Sequence, residues 1–228
     1  MKIKELKLYT IKLKEEFDFY ANTLGFEVIK HTDDLFTIRI GWSLLTFQKS
    51  DKEHKYHYCF LIPSNKLLEA LNWMEKRVEI IDIDNGQKTV NFEGWNADSF
   101  YFYDASGNIA EFIVRYDLNN EVHDDFDILK VLCLNEIGLP SDDIVKVNNQ
   151  LKFEIGIDTW KGDTERFGTI GDQEGIFLIP NYKIKDIWFP TNIKIRPEPF
   201  ECVVENNGNK YFVEFKNEEI KISTYYVH

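Results

Sequence analysis

The sequence predicts an α+β fold built from paired strand-helix-three-strand units, with a third unit and a partial fourth following the first pair. Three observations predict it: a gapless internal repeat, a helical period inside each copy, and strand-and-turn sequence after each helix. The repeat aligns Glu5-Leu6-Lys7-Leu8 with Glu136-Ile137-Gly138-Leu139, and 20 residues after each glutamate stands a glycine, Gly25 or Gly156.

Each element follows from local pattern. In the first copy Leu13, Phe17, Tyr20 and Leu24 fall at i, i+4, i+7 and i+11, the spacing of one helix face, which predicts a helix over 12–23. Gly25 stands where a helix end wants positive φ. Strands are expected at 26–31, 35–40 and 42–48, with turns at 32–34 and at Gly41. The middle unit opens with a strand at 56–62. A helix follows over 65–77, with Leu67, Leu68, Leu71 and Met74 as its apolar face, then strands at 78–83, 88–92, 98–103 and 109–115. Residues 118–126 are polar and read as a linker between a 1–117 domain and a 127–228 domain. In the later copy Ile144, Val147, Leu151 and Ile155 repeat the helical spacing over 141–154, with Ser141 as the expected N-cap. Strands are expected at 167–170 and 176–180. The remainder from Ile193 lacks a helical pattern and predicts a hairpin turning at 206–209.

Composition narrows the partners. The chain has 228 residues, 27 Lys+Arg against 39 Asp+Glu, and a formal charge of −12. With 43% hydrophobic and 15% aromatic residues there is enough apolar surface for a core. The negative charge and the absence of a basic block argue against nucleic acid or an anionic membrane as partner. No apolar run approaches the roughly 18 residues of a membrane span. The N-terminal stretch is charged again before a signal-peptide core could form, so the expected location is the cytosol. Cys59, Cys133 and Cys202 are few, distant and set in apolar runs, which predicts buried thiols rather than a disulfide framework. Gly171-Asp172-Gln173-Glu174-Gly175 lacks the lysine and the strand-to-helix context of a phosphate loop.

Phe19-Tyr20 with Leu24-Gly25-Phe26, and the run Phe102-Tyr103-Asp104-Ala105-Ser106-Gly107-Asn108-Ile109-Ala110-Glu111-Phe112, resemble the vicinal oxygen chelate superfamily. That superfamily includes glyoxalase I, extradiol dioxygenases and bleomycin- and fosfomycin-resistance proteins. The likeness covers 1–117 best, 127–192 less closely and 193–228 weakly. It implies that paired units wrap into cupped mixed sheets, with a divalent metal (Zn, Ni, Mn or Fe) held by the first strand of each unit and by a last strand. Carried over position by position, it implies Glu5, His57 and Glu111 as ligands. Glu5 stands where the family commonly has histidine, and Thr46 or Gln48 falls where some members have a fourth ligand. One fold hosts many chemistries, so the reaction is open.

Strand parity agrees with that placement. Glu5, Lys7 and Tyr9 share a face, as do His57, Cys59 and Leu61, and Ile109, Glu111, Ile113 and Arg115. The opposite faces are uniformly apolar and suit packing against helices. Two carboxylates and a neutral imidazole can hold a divalent ion, leaving Glu111 to move a proton. Equally, Lys7 and Arg115 on the same faces can neutralise Glu5 and Glu111 without a metal, or hold an anionic ligand. Tyr9, Trp95 and Tyr101 are the expected pocket walls.

Glu136 occupies the matching position in the third unit. That unit's partner is cut short, so its expected role is architecture, against the first domain or a second subunit of a homodimer. Trp188-Phe189-Pro190-Thr191 reads as a rigid edge segment, and His31, His54, His123 and His228 as solvated. The functional expectation is a cytosolic glyoxalase- or dioxygenase-like protein binding a small molecule, with metal-assisted lyase, isomerase or dioxygenase chemistry. The alternatives are a protein that sequesters an aromatic or anionic compound without catalysis, and a structural domain with a salt-bridged cup.

Overall fold

The computed structural model describes residues 1–225, and the expectation for His228 lies outside the described residues. The first unit comprises β1 (Lys2–Thr10), α1 (Leu13–Phe17), β2 (Glu27–His31), β3 (Leu35–Ile40) and β4 (Ser43–Lys49). The helix predicted over 12–23 is one regular turn that widens into a π-type segment at Asp18–Thr23. The second unit comprises β5 (His57–Leu61), α2 (Leu67–Glu75), β6 (Val90–Phe92), β7 (Ala97–Tyr103) and β8 (Ile109–Arg115). The strand expected at 78–83 reduces to one bridge, Ile80 to Phe102.

The third unit comprises β9 (Cys133–Gly138), α3 (Ile144–Ile155), β10 (Thr159–Gly162), β11 (Phe167–Asp172) and β12 (Gly175–Pro180). Asp143, not Ser141, caps α3: its carboxylate accepts from the Lys146 N–H at 2.9 Å. Gly156 ends the helix at φ 76°. The remainder forms a meander of β13 (Phe200–Asn206), β14 (Asn209–Lys216) and β15 (Glu219–Thr224), and its first turn carries Asn207 and Gly208 at positive φ. Among the described residues no helix is long and apolar enough to cross a membrane.

Each unit pairs its first strand with its last in parallel, leaving the outer edge of the first strand free. A free edge carries unpaired N–H and C=O groups and must be covered or paired. The expected pairing of units one and two is not the one found. β5 pairs antiparallel with β9, joining units two and three in an eight-stranded sheet ordered β10-β11-β12-β9-β5-β8-β7-β6. β1 pairs antiparallel with β13, giving a seven-stranded sheet ordered β15-β14-β13-β1-β4-β3-β2. Both sheets therefore cross the sequence division near residue 118.

One apolar core takes in residues of both sheets and the apolar faces of the helices, including Leu6, Leu8, Tyr20, Phe47, Phe60, Phe112, Leu151 and Phe177. Strand parity follows the expected pattern, with Leu6, Leu8, Tyr58, Phe60, Ala110 and Phe112 in this core. Gly41, at φ 52°, brings the β3–β4 turn against the chain entering β9. A Cβ there would lie 1.8 Å from the Leu132 carbonyl oxygen, so no other residue fits.

The turn at Asp104–Asn108 is a structural device. Asp104 accepts from the backbone N–H of Ser106 at 3.0 Å and of Asn108 at 2.8 Å, and from the Tyr58 hydroxyl at 2.5 Å. Glu16 of α1 accepts from the same Ser106 N–H at 2.9 Å, tying unit one to unit two. The three cysteines are buried and unpaired.

Candidate functional site

The eight-stranded sheet brings His57 of β5, Glu111 of β8 and Glu136 of β9 onto one face. Their ligand-capable atoms all lie within 4.8 Å of one another, and all three residues are buried. Glu5 is not among them. It lies on β1 of the other sheet, in a separate recess with Lys7, Thr46 and Glu201. Of the three ligands implied by the resemblance, the structure thus brings His57 and Glu111 together and sets Glu5 apart, and the reason is the pairing: β9, not β1, runs beside β5. Glu136, expected to serve architecture, takes the position.

Register explains the arrangement. His57 faces Ile109 across the parallel β5–β8 pair, so Glu111 is two residues beyond. Glu136 likewise faces Ile176 across β9–β12, so the residue matching Glu111 is Leu178. In unit one Glu5 faces Leu44, which makes Thr46 the match. Of three copies of the same two positions, unit two supplies both donors, unit three one, and Leu178 leaves an apolar wall beside the site.

The His57 Nδ1–H points at the Ile109 carbonyl oxygen, 3.1 Å away, which turns the Nε2 lone pair toward Glu111 Oε2 at 3.4 Å. Burial pushes the imidazole pKa down to about 4, so the ring is neutral at pH 7. Burial and the neighbouring Glu136 charge push Glu111 well above the usual carboxylate range. Burial also raises Glu136, opposed by Arg115, whose Nη2 donates to Glu136 Oε1.

Arg115 is 0% exposed. Its Nε donates to Asn135 Oδ1 at 2.9 Å, and its guanidinium carbon lies 5.0 Å from the Trp160 ring centre and 5.5 Å from that of Trp95. The salt-bridged cup expected from Lys7 and Arg115 is thus split. Arg115 serves Glu136, and Lys7 pairs with Glu201 at 2.7 Å on the other sheet, where the Tyr9 hydroxyl also donates to Glu201.

A cavity of about 200 Å³ opens over the three donors. Trp95 and Tyr101 line it as expected, whereas Tyr9 does not. The rest of its cover comes from the irregular segment between β12 and β13. Trp188 sets its indole 5.0 Å from the His57 ring, and Phe189 meets Tyr101 edge-on at 5.8 Å. Trp188 fits only because position 138 is glycine: a Cβ there would lie 2.7 Å from the indole. The Trp188–Thr191 segment is therefore a cover over the site rather than an edge. His54 differs too from its solvated expectation, since its Nδ1 pairs with Glu198 at 2.6 Å.

Sequence reasoning missed Glu136, Lys185, Trp188 and Phe189 as site residues. The signal for Glu136 was present in the 20-residue repeat, and Gly138 two positions on marks a close approach to the same face. The covering segment has no periodicity to read.

The donor set fits a divalent cation. With His57 neutral, two carboxylates face one guanidinium, an excess of one negative charge if both are ionised. A proton on Glu111 or a cation between the three groups relieves it. One imidazole and two carboxylates suit Zn, Mn or Ni, and Arg115 orients a ligand carboxylate as a supporting contact does.

No family model and no curated protein matches the sequence. Solved structures do resemble it. A dioxygenase-like protein from Bacillus subtilis superposes with a TM-score of 0.61 at 13% identity, covering 98% of this chain and 84% of its own. Two variants of glyoxalase I from Zea mays superpose with TM-scores of 0.52 and 0.53 at 13% and 11% identity. They cover 78% of this chain and 66% and 67% of theirs. The chain has the vicinal oxygen chelate fold.

Proposed function

We propose that this chain is a cytosolic small-molecule enzyme whose divalent metal ion is held by His57, Glu111 and Glu136. Lyase or isomerase chemistry is the reading we favour. The observation that carries it is the convergence of a neutral imidazole lone pair and two carboxylates at the floor of an aromatic-walled cavity. A bound divalent ion would polarise a substrate oxygen or acidify a bound water.

The chain's own residues supply the rest. Glu111 lines the cavity beside His57, where its carboxyl can give or take a proton at the substrate. Arg115 holds Glu136 in place, and the Trp188 indole covers the His57 ring. A single imidazole with two carboxylates departs from the two-histidine, one-carboxylate set of iron oxygenases, which favours proton transfer over oxygen chemistry.

The test is metal uptake. Purified protein is assayed for metal, stripped, and titrated with Zn, Mn, Ni and Fe alongside His57→Ala, Glu136→Gln and Glu5→Gln. Wild type and Glu5→Gln should each take up one equivalent, and the other two variants should bind at least about tenfold more weakly. Failure of wild type to bind at micromolar metal, or loss of binding in Glu5→Gln alone, overturns the proposal.

A further inference from the structure

The segment over the cavity carries a charge as well as aromatic rings. Residues 186–195 form a closed loop, with Ile195 N–H donating to the Asp186 carbonyl at 2.8 Å and Trp188 N–H to that of Ile193 at 2.9 Å. At its base Lys185 lines the cavity. Its ammonium donates to the Ile187 carbonyl at 2.8 Å. Among the described residues it makes no ion pair. Half burial and the nearby Arg166 push its pKa down, opposed by the neighbouring Asp186 carboxylate, with which it forms no ion pair.

The charges below do not answer it. Glu136 is engaged with Arg115, and Glu111 holds a proton or faces the proposed metal ion. A divalent ion would leave the cavity more positive still. The walls are flat and apolar, with Phe92, Trp95, Tyr101, Phe167, Trp188 and Phe189 around the space. Its volume, about 200 Å³, compares with the roughly 150 Å³ apolar cavity that takes one benzene. There is room for one ring and a small substituent.

We infer that the cavity takes a single-ring aromatic carboxylate, its ring between the aromatic walls and its anion on the Lys185 ammonium. This inference rests on the reading of the cup as a small-molecule site. Lys185 would then set specificity: it discriminates the acid from its neutral isostere, because a charge-assisted hydrogen bond beside apolar walls is worth more than a neutral one.

The test is calorimetric titration of the full chain, metal-loaded and metal-stripped, with benzoate, phenylacetate, benzamide and acetate. Wild type should bind the two aromatic acids about tenfold or more tighter than benzamide, and acetate more weakly still. Lys185→Met should bring the acid-to-amide ratio close to one, and Lys185→Arg should keep a preference for the acid. Benzamide binding as well as benzoate, a preference that survives in Lys185→Met, or no binding of either aromatic acid at millimolar concentration overturns the inference. Metal content measured in parallel separates it from the metal proposal. A protein that takes no metal can still show the Lys185-dependent preference, and a metal-loaded protein without that preference sinks this inference alone.

Discussion

The two sheets carry the same unit with opposite outcomes. Glu5 and Glu136 stand at equivalent positions on first strands, each beside a parallel last strand. On the seven-stranded sheet the residue two positions on is Lys7, which reaches Glu201 at a half-exposed surface. On the eight-stranded sheet it is Gly138, whose missing side chain admits the Trp188 indole over His57. A single difference, lysine or glycine, thus accompanies a partly exposed charged face or a buried one. The same charges then behave differently, since an ion pair in water contributes little, whereas a buried one costs much to form and more to break.

The largest effect should come from breaking the enclosed pair. Arg115→Met leaves Glu136 buried beside Glu111 without its cation, and unfolding by denaturant should show a loss of about 3–5 kcal/mol. Adding Glu136→Gln to that variant should recover part of the loss, because the uncompensated charge is removed with its partner. A neutral outcome for Arg115→Met would mean that water reaches this face as it reaches Glu201.

A second contrast is the buried imidazole. In the unfolded chain His57 takes a proton near pH 6.5, but in the folded protein only near about 4. Its folded pKa is lowered, so the folded state loses stability as pH falls from 6.5 toward 4, by roughly 3 kcal/mol in all for metal-stripped protein. Glu111 works in the opposite sense: its folded pKa is raised, so its contribution is lost as pH rises above the ordinary carboxylate range. His57→Asn, which keeps a side-chain donor for the Ile109 carbonyl, isolates the first effect. The wild-type-minus-variant stability should slope with pH only below about 6.5, and a flat difference would place the imidazole in solvent.

Much of this was legible locally. The repeat, the faces of β1, β5 and β8, and the presence of His57, Glu111 and Tyr101 on one side of the sheet follow from periods of 3.6 and 2, and Trp95 from its turn just before a cup strand. What was not legible is which first strands meet. The choice of β9 over β1 as the neighbour of β5 depends on edges far apart in sequence, and no residue in HYCFL announces it. The one residue that the structure places apart from His57 and Glu111 is Glu5, where Glu136 stands instead, and that came from topology rather than chemistry. Lys185 and Trp188 escaped for another reason: an irregular segment obeys no period, and its position is fixed by the notch at Gly138.

That notch gives the third prediction. In Gly138→Ala the new methyl would meet the Trp188 ring at 2.7 and 2.8 Å and the His57 carbonyl at 3.4 Å. The indole must move, at a cost of about 1–3 kcal/mol, and the Trp188 emission should shift toward that of a solvated indole. Unchanged stability and emission would show that the cover is seated by something other than the missing side chain.

The smallest effect is expected at the counterpart of Gly138. Lys7 and Glu201 have side chains 32% and 23% exposed, and Glu201 keeps a second donor, the Tyr9 hydroxyl at 2.5 Å, when the lysine is removed. Water can also solvate the freed carboxylate, so no uncompensated buried charge remains. Lys7→Met should therefore cost less than about 1 kcal/mol, and that cost should shrink further in high salt. A cost approaching that of Arg115→Met, insensitive to salt, would mean that the face of the seven-stranded sheet is covered in solution. Glu5 and Glu136 would then differ in what covers them, not in whether they are covered.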